Sequence, residues 1–494
     1  MTSQTRSDTV ESARIPADQP VVASWGTLFS SEYIWRAVAV TGGVALYAIN
    51  VLIVATIMPS IVAEIGGVNY YAWSTTLFVV ASILGSALTV SVLNRWGART
   101  AYLAAMAVFM LGSLVCALAP SMLVLLAGRT VQGLSGGVLT ALSYALIRQV
   151  FKPFLWPRAI ALVSAMWGIA TLCGPAIGGV FAEYGLWRWS FGVLLPVAVV
   201  QALIVLKQLA RGVQREAGST GREKASIPWL ALTLLVASAM VVAVSSLEKT
   251  RLWIPLSGCV GGLLLGALAV WVDSRSQGTQ MLPVGGHSLR MPLGVVYACI
   301  WLLQAGIMVE IYVPYFLQQL HGYGPLAAGY LAAVMAAGWS AASLFSSGRS
   351  GQRASQMLRL GPVLCAGSLL ALAVLLPWRW DIYPLQLMFL LAALAGTGFG
   401  IGSTWPHLLT RVMQLAAPGQ GGHASAAGTT LQLYGMAIGS ALAGLVVNAT
   451  GGGQEGAPPT LIGQAALWLM AGFVVLPALA AILTWRLTRK PDGA

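Results

Sequence analysis

Long apolar runs alternate with short polar loops along almost the whole chain. Fourteen can be marked, at about 37–59, 71–93, 100–119, 121–147, 159–182, 189–206, 228–246, 253–272, 291–318, 325–347, 360–377, 384–410, 424–450 and 461–485. A helix needs ~20 apolar residues to cross the hydrocarbon core of a bilayer, and most of these runs reach that length. In that solvent every backbone N–H and C=O must be satisfied within the segment, so the pattern predicts transmembrane helices. The runs together contain two charges, Arg129 and Glu310. An even number of crossings puts both ends of the chain on one side.

Lysine and arginine say which side. With the N-terminus inside, twenty-two of the 27 basic residues fall in cytoplasmic segments. Only Arg188, Lys249, Arg251 and Arg379 fall outside, the asymmetry that the positive-inside rule describes. Composition agrees: 57% of residues are hydrophobic, 8% are charged, and the mean hydropathy is +0.80. This is a polytopic membrane protein and not a soluble domain. The net charge of +13 does not point to nucleic acid, because the basic residues are scattered through short loops. The five cysteines lie far apart inside apolar runs, with no metal or disulfide spacing. No metal or cofactor is expected. Residues 1–35 are polar and lack the apolar core of a signal peptide.

An internal repeat organises the runs. Arg95-Trp96-Gly97-Ala98-Arg99 follows run 2, and Arg349-Ser350-Gly351-Gln352-Arg353 follows run 10, 254 residues later. Pro59 in run 1 is matched by Pro314 in run 9. The expected architecture is all-α and integral to the membrane: a tail (1–35), a six-helix bundle (36–208), a cytoplasmic linker (209–227), two interposed helices (228–272), a second six-helix bundle (290–486) and a cytoplasmic tail (487–494). Two halves related by an axis along the membrane normal form a transporter design, with the binding site between them near the midplane.

Glu310 is the one carboxylate inside the runs; the other acids fall in tails, loops or run ends. An intramembrane acid is costly and marks a functional site by default. It can exchange a proton with the two sides in turn, attract a lipophilic cation, or serve structurally through Arg129, Tyr312 or Gln304. Arg129 is set deep in run 4 and needs carbonyl, water or carboxylate partners. Tyr47, Asn50, Gln132, Trp167, Gln304, Tyr312, Trp339, Trp405, Gln432 and Tyr434 are polar or amphipathic groups inside long runs. They are candidates for a substrate cavity, or for packed core. His407 is read as a gate or interface histidine. In run 5, Gly174, Pro175, Gly178 and Gly179 predict a closely packed, bendable seam.

These elements together resemble the major facilitator superfamily, and within it the fourteen-span drug:proton antiporter branch. The RxxQG element is Arg129, Gln132 and Gly133; the antiporter GPxxGG element is Gly174, Pro175, Gly178 and Gly179. The cytoplasmic gate loop is Asn94, Arg95, Gly97 and Arg99. The resemblance covers the chain from run 1 to run 14. It implies a secondary transporter, not an enzyme, that exports small hydrophobic or amphipathic molecules by proton antiport. The expected partners are the substrate, protons and the lipid bilayer. It also implies a multi-pass protein of the plasma (inner) membrane, acting as a monomer, with a periplasmic adaptor where there are two membranes. The branch carries aspartate where this chain has Asn50 and Asn94, so Glu310 is assigned the coupling role, with Arg129 as its modulator. Other readings are a uniporter or an exporter of one metabolite or siderophore without proton coupling, and a sensor built on a transporter fold. Gly133-Leu134-Ser135-Gly136 matches a short serine-protease element but has no base nearby in sequence. Asn448-Ala449-Thr450 fits a glycosylation sequon.

Overall fold

A computed structural model describes residues 28, 30–31, 33–151, 155–209, 227–248, 253–276, 280–347, 349, 351–380, 382–417 and 420–489. The expected N-terminal tail as far as residue 27, linker residues 210–226 and the last five residues lie outside the described residues.

Every run forms a helix, and no strand occurs among the described residues. The first group is α1 (Ile34–Ile65), α2 (Val68–Thr89), α3 (Ser91–Ala117), α4 (Met122–Val150), α5 (Trp156–Glu183) and α6 (Trp187–Gln208). The interposed pair is α7 (Trp229–Ser245) and α8 (Trp253–Arg275). The second group is α9 (Pro292–His321), α10 (Pro325–Ser347), α11 (Gly351–Leu375), α12 (Tyr383–Leu415), α13 (Gly421–Ala449) and α14 (Pro459–Arg489). Thirteen spans are long and apolar enough to cross a bilayer; α7 is a shorter apolar helix of 17 residues.

The repeat read from the loops reappears in the packing. In the first bundle α2 packs on α4 and α1 on α5; in the second α10 packs on α12 and α9 on α13. Small residues make these contacts possible, since lipid supplies no hydrophobic drive between helices. Gly133 and Gly137 of α4 lie against the backbone carbonyls of Phe78 and Ser82 in α2. Gly398 and Gly402 of α12 lie in the same way against Met335 and Trp339 in α10. The glycines of the two Arg-x-Gly-x-Arg elements also share a positive φ. Gly97 has φ +75° and Gly351 has φ +59°, the left-handed region that glycine enters without a Cβ penalty.

The ends of α1 and α14 nearest the termini share one face of the molecule, here the terminal face; the other is the distal face. The interposed pair packs against the second bundle through α13. Ser238 of α7 donates to the carbonyl of Gly262 in α8 and shares a 2.7 Å hydrogen bond with the Tyr434 hydroxyl. At the terminal face, Asp273 closes the connection between α8 and α9. Its carboxylate accepts from the backbone N–H groups of Met281 (2.6 Å) and Leu282 (2.9 Å) and lies 2.8 Å from His287 Nε2.

Candidate functional site

Three groupings stand out as candidate sites: a polar knot inside the first bundle, a broken helix carrying Glu310, and a seal joining the bundles at the distal face.

The knot is built on α4. Arg129 is 1% exposed, and its Nη1 donates to Gln132 Oε1 over 2.8 Å, one helical turn away. Its guanidinium lies 4.0 Å from the centre of the Phe78 ring of α2, so the aromatic face stabilises part of its charge. Gln132 Nε2 donates to Ser113 Oγ of α3 at 2.9 Å, and Asn50 Nδ2 of α1 reaches Gln132 Oε1 at 3.4 Å. Cys116 adds a weak thiol contact to the same oxygen at 3.8 Å. No carboxylate of the described residues enters the knot. Arg129 Nε and Asn50 Oδ1 are buried without a protein partner. Beside the knot, Tyr47 packs on Phe78 (5.1 Å) and edge-on to Trp167 (6.0 Å).

Glu310 lies in a break in α9. An α-helix runs from Pro292 to Gly306, Ile307–Tyr312 winds as a 3-10 segment, and α-helix resumes from Val313 to His321. A 3-10 stretch inside a longer helix has poorer hydrogen-bond geometry and often marks a hinge. Glu310 is half-buried, although its neighbours Val309 and Tyr312 are fully buried. Its carboxylate takes no hydrogen bond or ion pair from the described residues, and Arg129 is not its partner. Gln304, two turns earlier, is buried with its Oε1 unpartnered.

The seal lies on the distal side of Glu310. Tyr312 stacks on Tyr71, in the first turn of α2, and Tyr315 closes on the same ring at 5.5 Å. Thr76 Oγ1 and Ser440 Oγ share a hydrogen bond of 2.7 Å, and Ser440 donates to the Ala72 carbonyl at 3.1 Å. Glu455 accepts from the Gly67 N–H, and Glu183 from the Leu326 N–H. Asn448 Nδ2 donates to the carbonyls of Asn69 (3.0 Å) and Ser246 (3.2 Å), tying the first bundle, α7 and α13 at one atom. Asn448 is 3% exposed, so in the folded chain its amide serves packing and hydrogen bonding. The hydrogen bonds between described residues of the two bundles all lie in the distal half.

The seam glycines line the same closure. A Cβ on Gly174 would lie 2.5 Å from Leu52 Cβ, and one on Gly178 would lie 3.0 Å from the Ile53 carbonyl, both in α1. One on Gly179 would lie 2.6 Å from Leu326 Cα in α10. Pro175 is buried between them. The sequence reading passed over their counterpart in α13. Gly435 and Gly439 approach the carbonyls of Trp301 and Ala305 in α9, and their GxxxG spacing was the available signal.

Other candidates go elsewhere. Trp339 and Trp405 pair at 5.1 Å between α10 and α12, both half-buried. Tyr434 stacks on Trp301 and bonds Ser238, apart from the knot. Gln432 is half-buried. His407 ties α12 to α10 through Ser346 Oγ at 2.7 Å. In the gate loop Asn94 and Arg95 are exposed, Arg99 is half-buried and Gly97 is buried. Phe78, Ser113 and Tyr71 complete the knot and the seal but carried no sequence signal.

Two pseudo-equivalent helical bundles, sealed together on one side of a half-buried intramembrane acid, have the architecture of a membrane transporter. The chain belongs to the Major Facilitator Superfamily, whose family model matches residues 39–440. A probable multidrug-efflux transporter of Mycobacterium tuberculosis is 39% identical over 473 residues, covering 94% of this chain and 97% of its own. Multidrug resistance protein 3 of Bacillus subtilis is 23% identical over 412 residues, covering 82% and 77%. Among solved structures, a D-xylose-proton symporter superposes with a TM-score of 0.65 at 13% identity, covering 93% of this chain and 99% of that one. A POT family transporter gives 0.64 at 13% identity, covering 92% and 97%. At such identities the likeness is one of fold.

Proposed function

We propose that this transporter exports small hydrophobic or amphipathic compounds, cations above all, in exchange for protons. Glu310 is the coupling acid, and the bundles at 36–208 and 290–486 are the rocking halves. The observation that carries this reading is the Glu310 carboxylate, unpaired on a 3-10 break and directly beneath the Tyr71–Tyr312 seal. A proton entering with the membrane potential contributes roughly 2.3 kcal/mol per 100 mV, enough to drive a useful substrate gradient. The efflux names of the Mycobacterium tuberculosis and Bacillus subtilis relatives support the direction of transport. The positive-inside asymmetry supports cytoplasmic termini in a plasma membrane, and with them a state sealed on the outer side. Monomeric action, with a periplasmic adaptor in a double-membrane bacterium, completes the proposal.

The test is dye and drug efflux from an efflux-deficient cell, with and without a protonophore, for the parent chain and Glu310→Gln. Export abolished by both the protonophore and the substitution is the expected result. Export indifferent to the protonophore points instead to a uniporter or an uncoupled metabolite exporter. No export of any compound points to a sensor.

A further inference from the structure

Among the described residues, the interior of the spans holds one carboxylate able to give up a proton and one fixed cation that cannot, and they are not paired. In the knot Arg129 keeps its proton at any accessible pH, and its neighbours Asn50, Gln132 and Ser113 are neutral amides and a hydroxyl. A carboxylate at position 50 would meet the Gln132–Arg129 pair and could exchange protons there; the Asn50 amide cannot. Glu310 has no such company. Helices α1, α2, α13 and α14 pack against its 3-10 segment, α2 through Tyr71 on Tyr312. Arg36 and Glu64 sit at the two ends of α1, His423 at the start of α13, and Arg486 and Arg489 at the end of α14. Within the spans those four helices offer only the phenols of Tyr47, Tyr70, Tyr71 and Tyr434, and α9 itself adds only phenols and Cys299 before His321 at its distal end. His321 Nε2 is held at 2.9 Å from the Leu376 carbonyl, and His407 is engaged by Ser346.

We propose that the Asn50–Gln132–Arg129 knot is a fixed-charge element that takes no part in proton exchange, so each cycle moves one proton, carried by Glu310. This rests on the antiport reading above and goes beyond it by setting the ratio. A monovalent cation then leaves for one incoming proton, and the exchange transfers no net charge. Its balance point is set by the pH gradient alone, whereas a neutral substrate is driven by the membrane potential as well. Asn50 is the residue that fixes this ratio, acting through Gln132 and not on the substrate.

The experiment uses the full chain in liposomes, with tetraphenylphosphonium as the probe and the potential clamped by valinomycin and potassium. A tenfold gradient of the cation should be balanced by a pH difference of about one unit, since both correspond to ~1.4 kcal/mol. That balance, read as the zero point of the protein-dependent flux after subtracting protein-free liposomes, should not move when the clamp is changed. Balance near half a unit, shifting with the clamp, means two protons and overturns the proposal. Cation flux with no response to the pH gradient overturns both the ratio and the antiport reading beneath it. In Glu310→Gln, pH-driven uptake should vanish while cation-for-cation exchange persists, which also shows that the variant is folded. Continued pH-driven uptake in that variant would place the proton elsewhere and overturn the assignment.

Discussion

Tyr71 and Tyr312 stack across the two bundles with ring centroids 4.6 Å apart and planes inclined by 21°. Tyr312 ends the 3-10 segment that holds Glu310, so the ring that closes the distal face and the carboxylate beneath it ride on one short piece of backbone. Opening the seal must disturb that segment. The bond between Thr76 and Ser440 offers a way to hold it shut. Thr76→Cys with Ser440→Cys, in a chain whose own five cysteines are replaced, should form a disulfide on oxidation. Transport should then fall at least tenfold and return with reductant. Full transport by the oxidised protein would show that this face does not open.

Much of this was legible in the sequence, for a physical reason. Lipid forces every crossing segment to be long and apolar, so the fourteen helices could be marked directly. The two-fold repeat was legible because Gly97 and Gly351 need a positive φ that other residues avoid. The seal was not. Tyr71 lies in the first turn of α2 and Asn448 at the end of α13, and hydropathy does not say which helix faces meet across the bundles. The break at Ile307–Tyr312 was hidden too, since an apolar run reads alike whether it winds as α or 3-10. Arg129 was picked out by its charge, but its partners, Phe78 and Ser113, look like ordinary core.

Arg129 gives a prediction that separates transport from folding. It is a buried cation with no counter-charge, and burial without pairing costs several kcal/mol even after relaxation. Arg129→Met removes that cost, and Gln132 keeps its bond to Ser113. The variant should melt at the parent temperature or above in detergent, yet export at under a tenth of the parent rate. A lowered melting temperature with normal export would make the arginine structural.

Asn448 joins three parts of the fold through one amide nitrogen. Asn448→Ala leaves the Asn69 and Ser246 carbonyls short of a donor at about 0.6 kcal/mol per bond, the typical value inside membranes. The net loss should be about 1 kcal/mol, mostly from the sealed state. Maleimide labelling of a cysteine placed at Thr76 should therefore run several-fold faster in this variant. Equal labelling rates would mean the amide does not hold the seal.

The α1–α5 seam can be tested against a glycine in its own helix. Gly178 faces the Ile53 carbonyl and the Ile57 side chain at 3.0 Å, whereas Gly168 has open space where a Cβ would go. Both lie on α5, so a valine carries a similar propensity cost at either site. Gly178→Val must push α5 off α1, and overpacking of this kind costs about 1–3 kcal/mol. The sealed state relies on that contact, through Gly179 against Leu326 one residue further on. Gly178→Val should lower turnover at least tenfold at equal amounts of protein in the membrane, and Gly168→Val should stay within about twofold of the parent. If both variants lose activity alike, the cause is helix propensity and not the close approach; if neither does, α5 is not part of the moving contact.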